Sequence, residues 1–226
     1  MKIIILAAGI GSRLGNPFPK PLTPLKGGKS IMERQIDNLS THFSVHDISI
    51  VVGFKKDLIM ERFPDLTYIY NQFFDATNTS KSLLKALKKY RNEDVLWLNG
   101  DVIFDAELFS VLNTEIQDSN SFVSVNTSRV AEEEVKYTLK NGHIYKLSKQ
   151  VKNGLGEAVG INFIAKKDMP LLLKHLENCD DNDYFEKGIE TAIQQDELKV
   201  KAVDISDFRC MEVDFEEDLE AANKMF

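Results

Sequence analysis

The first residues able to do chemistry form a glycine-rich loop near the N-terminus. An apolar stretch runs into Leu6-Ala7-Ala8-Gly9-Ile10-Gly11-Ser12-Arg13-Leu14, and Pro19-Lys20 follows shortly afterwards. Glycine lets the main chain approach a ligand closely, and the free N–H groups of such a loop cradle phosphate oxygens. Arg13 offers a fork of donors and Lys20 a point charge, both suited to polyphosphate. The pattern predicts a site for a phosphorylated ligand.

The spacing excludes two familiar phosphate loops. Gly9, Gly11 and Gly15 do not form G-x-G-x-x-G, and the prolines that follow prevent an immediate crossover helix. Gly28-Lys29-Ser30 resembles the end of a Walker A loop, but that motif needs glycine where Thr23 stands. Lys29-Ser30 is therefore interpreted as a loop lysine followed by a helix cap.

Two aspartates are candidate metal ligands. Asp101 follows a buried strand, at the end of a sheet where α/β proteins bind ligands. Asp214 precedes a run of acidic residues near the C-terminus. Carboxylate oxygens suit Mg²⁺, which usually takes one or two protein carboxylates plus phosphate oxygens. For Asp214 an alternative stays open, because an Asp before an acidic first turn is also typical of a helix N-cap.

Apolar runs alternate with amphipathic stretches, which predicts an α/β fold with a parallel core first and antiparallel strands later. Asn141-Gly142 predicts a tight hairpin within the later part. The whole chain, 1–226, is expected to form one domain with a mixed, mostly parallel sheet flanked by helices. The predicted strands are Lys2–Ala8, Asp47–Gly53, Leu66–Asn71, Asp94–Asn99, Ser121–Asn126, Val135–Lys140, His143–Ser148, Ala158–Ile164, Leu198–Val203 and Cys210–Val213. The predicted helices run from Ser30 to Leu39, Lys56 to Phe63, Thr79 to Tyr90, Met169 to Glu177, Tyr184 to Gln194 and Phe215 to Met225.

Composition narrows the class of partner. The net charge of −7 argues against a nucleic-acid binder, although the first thirty residues carry five cations and no carboxylate. That asymmetry favours a small anionic ligand held at one place. No apolar run reaches the length of a membrane span, and the two cysteines fit no metal or redox motif. We expect a cytoplasmic protein, and the sequence leaves its oligomeric state open.

These motifs, in this order, resemble the nucleotidyltransferases that join a nucleoside monophosphate to a phosphorylated small molecule. Leu98-Asn99-Gly100-Asp101 resembles the metal-binding strand end of that superfamily, and Glu212–Leu219 resembles its closing segment. The resemblance implies a Rossmann-like (GT-A-like) fold, Mg²⁺ on Asp101 and Asp214, and catalytic roles for Arg13, Lys20 and Lys149. It also implies nucleotide contacts from Leu6, Ala7, Ala8, Gly9, Gly11, Ser12, Asn78, Thr79, Ser80 and Asn99.

The segment Asn71–Ser82 favours one branch of the superfamily. Its Asn78-Thr79-Ser80 resembles the small cytidylyltransferases that act on phosphocholine and similar head groups. Larger sugar-1-phosphate members usually carry glutamine and glycine in this region. CTP is therefore the expected nucleotide. Helix capping is the alternative for each of these three residues.

The acceptor side is assigned by resemblance. Lys149, or its neighbour Lys152, corresponds to the lysine that holds the acceptor phosphate. Gly156, Glu157 and Asn162 resemble a segment that lines the acceptor pocket. Tyr184 and Glu186, with Asp181 and Asp183, are suited to a cationic head group by charge and cation–π contact, and the solvated start of a helix is the alternative. We expect CTP and a phosphorylated small alcohol or amino-alcohol to give a CDP-linked product, a precursor of a cell-surface polysaccharide or a phospholipid head group. The alternatives are a sugar-1-phosphate uridylyl-, thymidylyl- or guanylyltransferase, a molybdenum-cofactor-type transferase and a non-catalytic nucleotide-binding module.

Overall fold

A computed structural model describes residues 1–11, 17–128, 130 and 132–226. Its strands are β1 (Lys2–Ala7), β2 (Ile48–Val52), β3 (Thr67–Tyr70), β4 (Val95–Asn99), β5 (Val102–Phe104), β6 (Phe122–Asn126), β7 (Lys136–Lys140), β8 (His143–Ser148), β9 (Glu157–Ile164), β10 (Lys201–Asp204) and β11 (Cys210–Glu212). Its helices are α1 (Ile31–Ser40), α2 (Lys56–Arg62), α3 (Thr79–Lys89), α4 (Phe109–Gln117), α5 (Met169–Glu177), α6 (Phe185–Asp196) and α7 (Glu216–Met225).

A mixed sheet organises the described part of the chain, in the order β10-β6-β9-β4-β1-β2-β3. β1 lies parallel to both β2 and β4, and β3 lies parallel to β2. β9 runs antiparallel between β4 and β6, and the β7–β8 hairpin attaches to β9. The expected α/β fold with a mostly parallel mixed sheet is confirmed. Because β1 and β4 are parallel neighbours, their carboxyl ends deliver Ala7 and Asn99 to one edge.

The sheet is buried on both faces, which explains its nearly continuous apolar strands. Ile4 and Leu6 of β1 point to the face that packs against α3, α5 and α6. Ile3 and Ile5 point to the opposite face, against α1 and α4. On the first face the Trp97 ring meets Phe185 edge-on, with centroids 5.7 Å apart. Both layers therefore hold the parallel strands in place behind the edge where the site lies.

Local signals in the sequence account for several element boundaries. Ser30 caps α1: the Glu33 amide donates to the Ser30 hydroxyl at 3.2 Å, and the Ser30 amide donates to the Glu33 carboxylate at 2.8 Å. Asn141 and Gly142 both have positive φ, 53° and 77°, as a two-residue hairpin turn requires. Among the described residues, no helix has the length and apolarity needed to cross a bilayer.

The region between Asp101 and Ser121 contains two elements that the sequence patterns did not predict. β5 has only three residues and pairs with β11, far along the chain. It is therefore defined by tertiary pairing, and no local sequence pattern indicates it. α4 buries only Phe109 and Leu112, too few for a clear helical period. The predicted strand over 198–203 begins later, at Lys201, because it pairs with β6 only from that residue.

Gly53 tests how closely this edge is packed. A Cβ atom there would lie 2.5 Å from the Ala8 carbonyl oxygen and 2.5 Å from the Phe74 Cβ. We expect Gly53→Ala to lower the free energy of unfolding by about 1–3 kcal/mol, because neither neighbour can move cheaply. Urea denaturation measures the change. Gly27→Ala is the control, since a Cβ there meets nothing within 4 Å, and equal stability of both variants would contradict the packing argument.

Candidate active site

A cavity of about 250 Å³ opens at the carboxyl ends of β1 and β4. Three separate parts of the sequence meet there: the glycine-rich loop, the turn after β4 and the segment after β11. Of the residues predicted from sequence, the cavity is lined by Leu6, Ala7, Gly9, Gly11, Lys20, Thr79, Asn99, Asp101, Lys149, Tyr184, Glu186 and Asp214. The fold therefore brings most of the predicted nucleotide, metal and acceptor residues to one place.

Lys20 lies between the two predicted metal ligands. Its Nζ donates to Asp101 Oδ2 at 2.7 Å and also to Asp214 Oδ1. The side chain is nearly buried, with Lys20 9 % exposed. Burial alone would lower the pKa of Lys20, but attraction and hydrogen bonds from the two carboxylates outweigh that effect and raise it. Lys20 is therefore held as a cation that neutralises part of the carboxylate charge.

The donor set around Asp101 fits a magnesium ion. Asp101 Oδ1 and Asn99 Oδ1 are buried and have no hydrogen-bond partner among the described residues. The Asp214 carboxylate lies close to that of Asp101, because both form ion pairs with Lys20. In the described part of the chain no group of three or more His, Cys, Asp or Glu residues could hold a metal ion. Two carboxylates with remaining positions for phosphate oxygens and water is the arrangement that Mg²⁺ prefers.

The geometry at Asp214 distinguishes its two sequence interpretations. The N-cap position of α7 is Phe215, not Asp214. Asp218 caps this helix from within, since its carboxylate accepts hydrogen bonds from the Asp214 and Phe215 amides at 3.0 and 2.8 Å. The Asp214 side chain instead contacts Lys20. Asp214 thus faces the cavity rather than capping the helix.

Glu212 is a cavity residue that the sequence reasoning missed. Its Oε1 accepts a hydrogen bond from Asn99 Nδ2 at 3.1 Å. Burial, and then the charge of Asp101, raise the pKa of Glu212 well above its ordinary value. Gly160 makes room for this pair, because a Cβ there would lie 2.7 Å from Glu212 Oε1. The sequence could have indicated Glu212, because residues two apart in an extended segment lie on the same face. Glu212 is therefore expected on the same face as Asp214.

The Asn78-Thr79-Ser80 segment is tied to the loop before α6. Asn78 caps α3, and its side-chain Nδ2 donates to the Asn182 carbonyl. The Thr79 hydroxyl accepts from the Phe185 amide at 3.2 Å, and Ser80 is fully buried. Thr79 alone of the three lines the cavity. For Asn78 the capping alternative describes the observed contacts.

Three of the five predicted acceptor residues line one of two adjoining cavities. Tyr184 and Glu186 line the first, and Glu157 lines a second of about 470 Å³. Lys149 lines both cavities, whereas Lys152 lines neither. Glu134, which no sequence pattern indicated, also lines both cavities.

The remaining predicted residues take other places. Gly156 packs against the Asn126 carbonyl, where a Cβ would lie at 2.5 Å. Asn162 is buried within β9 beside Trp97, and Ala8 is buried with its carbonyl accepting from the Phe54 amide. None of these three lines either cavity. Ser12 and Arg13 lie outside the described residues.

Glu186 lies at the start of α6 with one carboxylate oxygen, Oε2, buried and without a hydrogen-bond partner among the described residues. Burial raises the pKa of Glu186 to about 7. Attraction from Lys149 opposes this rise, and the charge of Glu134 adds to it. Lys149 Nζ lies 5.3 Å from the centre of the Tyr184 ring, which lines the same cavity.

A glycine loop at the carboxyl edge of a parallel-core sheet lies where α/β domains bind nucleotides. Comparison with known families agrees, because residues 3–160 match the model of the MobA-like NTP transferase domain. The chain belongs to this family. The matched range includes Lys20 and Asp101, whereas Asp214 follows it.

Curated relatives cover part of the chain. The bifunctional protein GlmU of Methanococcus maripaludis is 39 % identical over 122 residues, 51 % of this chain and 28 % of that protein. The CMP-5′-(3-aminopropyl)phosphonate synthase of Streptomyces rubellomurinus is 32 % identical over 114 residues, 46 % of this chain and 18 % of that protein. The chain thus aligns with less than a third of the length of either relative.

Solved structures share the fold over almost the whole chain. The inositol-1-phosphate CTP transferase of T. maritima has a TM-score of 0.82 at 16 % identity, covering 99 % of this chain and 94 % of that one. The CTP:phosphocholine cytidylyltransferase of Streptococcus pneumoniae has a TM-score of 0.76 at 20 % identity, covering 99 % and 97 %. A Bacillus anthracis protein described as a glucose-1-phosphate thymidylyltransferase has a TM-score of 0.78 at 18 % identity, covering 99 % and 94 %.

The raised pKa of Glu186 predicts a pH dependence of stability. The folded state holds this proton more tightly than the unfolded state, so stability falls as pH rises from about 4.5 to about 7. Glu186→Gln removes this loss. The variant should gain stability relative to the wild type, by as much as about 3 kcal/mol, as pH increases through that window.

Urea denaturation at pH 5, 6, 7 and 8 measures this difference. Glu61→Gln is the control, since Glu61 is exposed on α2 and lines neither cavity. A constant difference between Glu186→Gln and the wild type across the series would show that the Glu186 carboxyl has an ordinary pKa.

Proposed function

We propose that this nucleotidyltransferase transfers a cytidylyl group from CTP to a phosphorylated small alcohol or amino-alcohol, releasing pyrophosphate. The observation that carries the proposal is the Lys20 bridge between Asp101 and Asp214 at the open end of β1 and β4. Cytidylyl transfer is favoured by the proteins of similar fold or sequence that act with CTP or form a CMP product.

In this mechanism the chain positions two anionic reactants and stabilises charge. An oxygen of the acceptor phosphate attacks the α-phosphorus of CTP, the bond from that phosphorus to the bridging oxygen breaks, and pyrophosphate leaves with the electron pair. Gly9 and Gly11 give the nucleotide phosphates access to backbone N–H groups. Lys20 faces the same phosphates, and Lys149 holds the acceptor phosphate. No covalent enzyme intermediate is needed.

Asp101 and Asp214 would hold Mg²⁺, with Asn99 Oδ1 beside them. When bound there, the ion would neutralise part of the charge on the phosphate oxygens. The unpartnered Asp101 Oδ1 supports this role, because a buried carboxylate oxygen without a donor is costly unless a cation meets it. Arg13 is proposed to contact the triphosphate, as the loop motif implies.

Pyrophosphate release in the presence of Mg²⁺ tests the proposed activity. CTP, UTP, GTP, ATP and dTTP are each combined with phosphocholine, phosphoethanolamine, glycerol phosphate, inositol phosphate and several sugar 1-phosphates. We expect turnover that is restricted to CTP and to non-sugar acceptors. Turnover with UTP, dTTP or GTP and a sugar 1-phosphate would support the alternative substrate class. Nucleotide binding without turnover on any acceptor would instead support a binding module.

Asp101→Asn tests the proposed metal ligand. The amide keeps the shape of the side chain but removes its negative charge, so kcat should fall roughly 10²–10³-fold. Steady-state kinetics over a range of Mg²⁺ concentrations measure the loss. Asp118→Asn is the control, because Asp118 is exposed after α4 and lines neither cavity. Full turnover in Asp101→Asn would remove Asp101 from the mechanism.

A further inference from the structure

A buried glutamine of α1 lies behind the turn that carries Asp101. Gln35 is 1 % exposed and lines neither of the two cavities. Its Nε2 donates to the carbonyl oxygens of Asn99 and Val102, each at 2.8 Å. These two residues stand immediately before and after Gly100-Asp101. One side chain therefore holds both ends of the turn from which Asp101 projects.

The spacing of residues along α1 explains how the helix reaches this turn. Ile31, Gln35 and Asn38 are four and then three positions apart, so they lie on one face of the helix. Ile31 packs in a small buried cluster with Ile103 of β5. The Asn38 Nδ2 donates to the Phe104 carbonyl oxygen at 2.6 Å. This face of α1 therefore packs against the segment that follows β4, and Gln35 is its contact with the turn.

The orientation of the Gln35 amide is set by the turn. Only the amide nitrogen can donate, so two carbonyl oxygens at 2.8 Å require Nε2 to face them. The opposite atom, Oε1, is buried and has no hydrogen-bond partner among the described residues. An acceptor left in this way costs free energy. The side chain therefore satisfies the acceptors of the turn rather than its own oxygen.

Two other parts of the chain hold the same turn through their backbone. The Gly100 amide donates to the Leu6 carbonyl oxygen of β1 at 2.9 Å. The Val213 amide, one position before Asp214, donates to the Asp101 carbonyl oxygen at 3.0 Å. Of these three supports, Gln35 is the one that acts through a side chain. A substitution can therefore remove it while the backbone contacts to β1 and to the segment after β11 stay available.

We propose that Gln35 is a positioning residue for the metal site. By holding the Asn99 and Val102 carbonyl groups, it sets the place of the Asp101 carboxylate relative to that of Asp214. The inference rests on the proposed role of both aspartates as Mg²⁺ ligands. A metal site tolerates only small displacements of its ligands, so groups that orient the ligands from behind control metal affinity. Gln35 acts through the turn and not by contact with the reactants.

Gln35→Met tests this role, because methionine fills a similar volume without donating to the two carbonyl groups. Metal binding is measured with Mn²⁺ by electron paramagnetic resonance, with and without CTP. The dissociation constant for Mn²⁺ should rise about 10–100-fold. In turnover assays kcat should fall at low Mg²⁺, and saturating Mg²⁺ should restore most of it, because the Asp101 carboxylate is displaced but still present. Asp101→Asn, which lacks the carboxylate, should not recover.

Asn38→Leu is the matched control. It removes a hydrogen bond from the same face of α1, but to a carbonyl group three positions after Asp101. It should lower stability in urea and keep the wild-type affinity for Mn²⁺. Gln35→Asn is a second, milder variant in case Gln35→Met does not fold. Its amide is one methylene too short to reach both carbonyl groups, so it should also weaken Mn²⁺ binding.

The outcomes separate this inference from the proposed function. Wild-type Mn²⁺ affinity in a folded Gln35 variant, or an equal loss of affinity in Asn38→Leu, would overturn the positioning role and leave the metal ligands in place. Unchanged Mn²⁺ affinity in Asp101→Asn, or no Mn²⁺ binding by the wild type with or without CTP, would overturn the proposed metal site and this inference together.

Discussion

The arrangement of the site depends on a single ammonium group placed between two carboxylates. Asp101 and Asp214 are brought together from distant parts of the chain, 81 and 194 positions from Lys20. Two carboxylates this close repel each other, and the repulsion grows as the surroundings become less polar. The nearly buried Lys20 offsets that repulsion. It thereby joins the N-terminal loop, the end of β4 and the segment after β11 into one surface.

Close backbone approaches make this junction possible. At Gly100, between Asn99 and Asp101, a Cβ atom would lie 2.8 Å from the Leu6 carbonyl oxygen and 2.9 Å from the Pro21 ring. At Gly11, which has a φ of 65°, a Cβ would lie 2.9 Å from the Lys20 Cβ. Larger residues would separate the loop from the strand end and move Lys20 away from its partners. The glycines of the motif thus serve the lysine bridge as well as access to phosphate.

The part of the fold that follows from periodicity was predictable, and the part that follows from distant pairing was not. β1, β4 and the Asn141-Gly142 hairpin carry their signals in local sequence. β5 carries none, because its three residues are extended only through pairing with β11. The same division holds in the site. Lys20 and Asp101 belong to recognisable motifs, whereas Glu134 reaches the cavity from a loop with no motif.

The charge of the first cavity bears on how the proposed nucleotide and metal ion would bind. Among the described residues, the first cavity has two cations, Lys20 and Lys149, against the carboxyl groups of Asp101, Asp214, Glu134, Glu186 and Glu212. The raised pKa values of Glu186 and Glu212 reduce this excess without removing it. A triphosphate brings several further negative charges, so its binding is unfavourable unless positive charge arrives with it. Mg²⁺ held by Asp101 and Asp214 would supply that charge and release Lys20 from its carboxylates to meet the phosphates. In the proposed reaction, metal and nucleotide therefore bind as coupled events.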